Sequence, residues 1–116
     1  MKTLKITLIF AAIVGSFFVS CESNTYEEIA GVVEFPTYEA NVKGIIADKC
    51  SSCHNPEYGQ EPYLQTYAMV KDACENGSLL CNIDGTCGSI MPTSGKMPKA
   101  RIDIIQNWAY QGYVEQ

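Results

Sequence analysis

Cys50-Ser51-Ser52-Cys53-His54 decides the reading of this 116-residue chain. Positions i and i+3 of a helical turn lie on one side, and position i+4 stays on that face. Two thiols therefore project together with one imidazole beside them. Three familiar uses of such a stretch can be set against it. A thioredoxin-like redox pair requires a strand–helix–strand context, and no such alternation surrounds Cys50. A zinc centre takes four N or S ligands, usually as two separated pairs. The remaining cysteines, Cys21, Cys74, Cys81 and Cys87, form no second CxxC, and a His directly after Cys53 does not easily share one tetrahedron with both thiols. A plain Cys50–Cys53 disulfide leaves His54, the only histidine, without a role.

The pattern resembles the CxxCH haem-attachment signature of c-type cytochromes. The spacing suits two thioether bonds to the two vinyl groups of one porphyrin, with the histidine reaching the iron from the same face. The expected cofactor is one covalently attached haem c, held by Cys50 and Cys53, with His54 as an axial ligand. A second imidazole from this chain is excluded, and Met is the usual protein ligand opposite His in cytochromes c. Met1 falls in an N-terminal export segment. Met69 lies on an apolar helix face and is expected to fill the core, as Met commonly does. Met91 and Met97 remain. Met91-Pro92 lies in a loop with room to swing its sulfur to the iron, whereas Met97 abuts Pro98 at a helix start that fixes its direction. The expected sixth ligand is Met91, with Met97 the alternative.

The N-terminus fits this chemistry independently. Lys2 and Lys5 precede an apolar run from Ile6 to Val19, and small Ser20 precedes Cys21. That run is shorter than the roughly 20 residues a spanning helix needs, and it reads as a signal peptide over residues 1–20. Phe18-Val19-Ser20-Cys21 resembles the lipobox of bacterial lipoproteins, departing at Phe18 where Leu is usual. The resemblance implies lipidation of Cys21 and a membrane-anchored lipoprotein in the bacterial cell envelope, its domain on the periplasmic or outer side. Several acyl chains on one residue anchor stably where one does not. Loss of Lys2 and Lys5 leaves six basic against thirteen acidic residues, a formal charge of −7. Such a surface excludes nucleic acid as a partner class.

Residues 21–37, with Glu22, Glu27, Glu28 and Glu34 among Ser, Asn and Thr, show no sustained period and read as a flexible tether. The domain is expected over residues 38–116. Val42, Ile45, Ile46 and Cys50 fall at helical spacing behind Thr37, a candidate N-cap. A second helix is predicted from Tyr67 to about Glu75, capped by Thr66, with Met69, Val70 and Ala73 as its apolar face and Asn76-Gly77 as its stop. A third begins near Pro98, its face traced by Arg101, Ile104, Ile105, Trp108 and Gly112, with Ile102 and Ala109 beside it. Residues 55–65 and 77–97 read as long functional loops. A core of about 80 residues is marginal by burial alone, so a bound group is expected to complete it.

Met91-Pro92-Thr93-Ser94-Gly95-Lys96-Met97 also resembles the methionine loop of small bacterial cytochromes c, in which an MP dipeptide and a Gly precede a final Trp-containing helix, matched here by Ile105-Gln106-Asn107-Trp108. That resemblance covers Tyr38 to Gly112. It implies an all-α, cytochrome c-like fold of three or so short helices around one haem, the first and last helices crossing so that Ile46 or Val42 packs near Trp108.

Cys74 is expected as a buried free thiol. Cys81 and Cys87 flank a turn-rich stretch whose ends could close as a disulfide, although Cys74–Cys87 pairing is open too. The function implied is electron transfer between redox partner proteins in the envelope, not enzymatic turnover. Rival readings are a peroxidase-like haem enzyme, or a structural or sensor module with an open sixth position. Lys96, Lys99 and Arg101 either steer an acidic partner or form an ordinary solvated helix start.

Overall fold

The computed structural model of the chain describes residues 33–116. The signal segment, Cys21 and the tether as far as residue 32 lie outside the described residues. A π-helical turn, Tyr38–Val42, runs directly into α1, Lys43–Lys49; α2 spans Tyr67–Glu75, α3 Leu79–Asp84 and α4 Lys99–Tyr110. No strand occurs among the described residues, in keeping with the all-α expectation. No helix among them is long and apolar enough to cross a membrane.

The first helix starts where its cap places it. Thr37 is extended, and its Oγ1 accepts from Ala40 N at 3.3 Å while Asn41 Oδ1 accepts from Thr37 N at 3.0 Å. Two otherwise orphaned amides are satisfied reciprocally. Packing begins earlier than the tether reading expects: Pro36 is fully buried and the Glu34 carbonyl accepts a bond from Gln111. The last residues of the 21–37 segment thus belong to the domain.

Helix α2 has its expected bounds, with the Thr66 hydroxyl accepting from Met69 N at 3.3 Å and Asn76 as C-cap. Its buried face is Val70, Ala73 and Cys74, a set at i, i+3 and i+4. Met69 is 39% exposed. Its expected place in the core is therefore incorrect, because it stands about 100° round the helix from that stripe. In α4 the buried residues are Ile102, Ile105 and Trp108. Arg101 and Ile104, placed on the apolar face by the sequence reading, are only half-buried. The expected continuous loop over 77–97 contains α3, whose Leu79 and Ile83 are buried. Gly85 ends it at φ 85°, a left-handed C-cap.

The first turn of the first helix packs against α4. Val42 and Ile46 share one core with Trp108, and Tyr38 lies 5.8 Å from the indole, centroid to centroid. Tyr67 and Tyr113 complete the cluster edge-on to Trp108, at 6.2 and 5.0 Å, a geometry aromatic rings favour. The C-terminal tail straps this cluster. Val114 O accepts from Trp108 Nε1 at 2.8 Å and from Tyr38 N at 2.9 Å, and Tyr113 O accepts from the Tyr67 hydroxyl at 2.9 Å. Trp108 is wholly buried, so Trp108→Ala should cost about 3–5 kcal/mol, read from denaturant unfolding.

Candidate functional site

The motif sits where α1 ends. Cys50 is the C-cap residue, and the chain keeps one more helical turn: Cys50 O accepts from Cys53 N at 3.1 Å and from His54 N at 3.0 Å. The two thiols and the imidazole are thereby carried together, as their spacing requires. Asn55, buried at the next position, locks the turn. Its Nδ2 donates to Ser51 O (2.8 Å) and Ser52 O (3.0 Å), while its Oδ1 accepts from Glu57 N (2.9 Å) and Tyr58 N (3.0 Å). One amide closes the motif and opens the following loop. The sequence reading missed this residue; its signal was an Asn before Pro56-Glu57, a turn former that bonds its own downstream backbone.

The loop returns on Leu64. Leu64 N donates to His54 O at 2.9 Å, and Ser51 Oγ donates to Leu64 O at 2.9 Å. On the way, Pro62 O lies 2.9 Å from His54 Nδ1. A carbonyl only accepts, so Nδ1 donates its proton here, and in the neutral imidazole Nε2 carries the lone pair. A hydrogen bond on the second nitrogen is the usual means of orienting a ligating histidine.

Cys50, Cys53 and His54 open onto a cleft of about 380 Å³. Met91 and Pro92 line it too, and buried Leu64, Leu79 and Ile83 contribute apolar wall. The volume is in the usual range for cofactor sites. Met97 is 4% exposed within the core and is absent from the cleft lining. Of the two candidate methionines, the structure brings only Met91 into the space the motif faces. Among the described residues no three His, Cys, Asp or Glu side chains converge to hold a bare metal ion.

These residues fit a haem on the chemistry of the donor set. Two thiols three residues apart, a histidine oriented through Nδ1, and a thioether share one largely apolar cleft. Cys50 and Cys53 would hold the porphyrin covalently, and His54 and Met91 would hold its iron. An iron held this way would supply one-electron redox chemistry.

Cys81 and Cys87 are joined as a disulfide with Cα atoms 5.1 Å apart, which leaves Cys74 as a buried thiol. Burial, then Glu75 and Cys50 nearby, push the Cys74 thiol up to about 12; burial and then Asp48 push that of Cys50 up to about 11. The unfolded chain ionises these thiols near 9.0. For Cys74, stability that depends on keeping the thiol neutral is therefore complete below pH 9 and drains away as the pH rises towards its folded value of about 12. Cys74 should accordingly resist iodoacetamide at pH 8 in the native protein and react in denaturant, as peptide mass mapping would show.

The basic residues beside Met97 are engaged. Lys99 pairs with Asp103 and Arg101 with Asp48, each at 2.6 Å, and Lys96 Nζ donates to Asp84 O at 2.6 Å. Arg101 thus links α4 to α1, and Lys96 ties its loop to α3. No family model, no curated protein and no solved structure matches the chain.

Proposed function

We propose that the domain is a monohaem c-type cytochrome that transfers electrons, held to a membrane of the cell envelope through lipid on Cys21. The observation that carries the reading is the shared cleft: Cys50, Cys53, His54 and Met91 open onto one largely apolar space, although 36 residues separate Met91 from His54. His54 and Met91 would both hold the iron, a ligand set that would suit electron transfer better than turnover of peroxide or gas binding. His54 is orientated by Pro62 O, the Asn55 bonds hold the attachment turn, and Leu64, Leu79 and Ile83 keep water from the cofactor faces. Exclusion of water and fixed ligands limit the rearrangement that accompanies a change of charge.

The test is expression of the full chain in cells equipped for cytochrome c maturation. Mass spectrometry should find one haem on the peptide containing Cys50 and Cys53 and acylation at Cys21. The ferric protein should show a weak far-red methionine–iron band. A folded, colourless product whose Cys50 and Cys53 both alkylate would overturn the proposal. A high-spin spectrum with rapid peroxide turnover would favour the enzyme instead.

A further inference from the structure

We infer that the Cys81–Cys87 disulfide is a positioning device for Met91, holding its sulfur over the cleft. The inference rests on the haem reading above and extends it to residues outside the ligand set.

Beyond the bonds that Thr86 N and Oγ1 donate to Asp84 Oδ1 at 2.8 and 2.6 Å, three ties spread along the segment from 85 to 96 join it to the C-terminal turn of α3. The disulfide joins Cys81, inside the helix, to Cys87 in the loop. Met91 N donates to Asn82 O at 3.0 Å, and Lys96 Nζ to Asp84 O at 2.6 Å. Successive α3 residues thus grip successive parts of the loop. The helix is itself a wall of the cleft, since Leu79, Asn82 and Ile83 line it. Met91 is therefore referenced directly to the wall it must reach across.

The disulfide is the covalent member of the set and the one that fixes the exposed midpoint of the loop. Residues 86–90 are all exposed, Ile90 at 48%. Gly85 and Gly88 take φ of 85° and 83°, conformations that side chains rarely adopt. Ile90 closes on Gly85, where an added Cβ would stand 3.3 Å from its Cγ1. Cys87 N donates to Cys81 O at 3.3 Å, a weak bond without the covalent link. A short, glycine-hinged, solvated loop opens locally at low cost. Fixing its midpoint to α3 removes the conformations in which the Met91 amide leaves Asn82.

The consequence is measurable because an added ligand binds the iron only while Met91 is away. Its apparent affinity and rate scale with the open fraction. Carbon monoxide binding to the ferrous holoprotein reads that fraction. Ascorbate reduces the iron and leaves the disulfide intact. Dithiothreitol also opens the disulfide, its two thiols giving two electrons and two protons to the S–S bond and closing into their own cyclic disulfide. The wild type should bind carbon monoxide about tenfold faster after dithiothreitol than after ascorbate, in proportion to the larger open population. A Cys81→Ser/Cys87→Ser variant should show the fast rate with either reductant.

Amide exchange supplies the second readout. Opening the disulfide should accelerate exchange at Met91 and Cys87 while Val70 and Ile105 keep their protection. Uniform acceleration, or equal carbon monoxide rates with both reductants once thiol counting shows the disulfide open, would overturn the inference. If the variant does not fold, the wild-type comparison stands alone. A chain without attached haem would sink the electron-transfer reading; a haem-bearing chain with equal rates would sink only this one.

Discussion

A chain carrying both Cys50→Ala and Cys53→Ala should be colourless and should lose its cooperative melting transition near room temperature. Leu64, Leu79 and Ile83 are buried residues on the wall of a cleft of about 380 Å³. These side chains are already buried by packing within the chain, and a haem seated in the cleft would add contacts along the wall they form. The described core comprises only fourteen apolar residues, and four of them lie on the first helix and its π-helical turn. A domain this small has on the order of 5 kcal/mol of stability at most from its core. Losing a haem linked through Cys50 and Cys53 would remove stability of the same order. Circular dichroism during heating, with haem staining on a denaturing gel, checks both halves of the expectation. A colourless variant that still melts cooperatively at the wild-type temperature would show that the cleft closes on its own side chains.

Replacement of the two candidate methionines should separate their roles cleanly. Met91→Ala should abolish the far-red band and admit imidazole to the ferric iron roughly a hundredfold more tightly, because the open fraction then becomes the whole population. The fold should survive, since Met91 is only half-buried and its amide keeps its bond to Asn82. Met97→Leu should do the reverse. Met97 is 4% exposed in the core, and a swap of similar volume there costs under about 1.5 kcal/mol, with the spectrum unchanged. Loss of the band in Met97→Leu but not in Met91→Ala would reassign the ligand.

The parts that were legible in the sequence are those whose cause is local. Thr37 and Thr66 announce helix starts because a hydroxyl caps the amide three residues on, and both do so here. Cys50 to His54 is legible because five consecutive residues carry the whole geometry. What escaped depends on distant partners. Helix α3 spans six residues among Gly, Ser, Asn and Asp, too short for a period to emerge before tertiary burial of Leu79 and Ile83 selects it. Met69 and Ile104 are as apolar as the residues buried beside them, and a face choice differing by one position is decided by what the helix packs against. The strap of Tyr113 and Val114 uses backbone carbonyls, which every residue possesses, so no side chain advertises it. The pairings of Lys99 and Arg101 with carboxylates could be guessed only for Lys99–Asp103, four residues apart on one helix; Asp48 is 53 positions from Arg101.

The meeting of the first helix with the C-terminal tail bears on how the domain can be handled. Tyr38 N and Glu39 N donate to Val114 O and Glu115 O at 2.9 and 3.1 Å, so entry and exit lie side by side, and every residue lining the cleft falls between positions 49 and 93. Neighbouring termini are what circular permutation and domain insertion demand. The module could therefore be spliced into a surface loop of a host protein as a single cassette, joined through two adjacent seams neither of which touches the cleft.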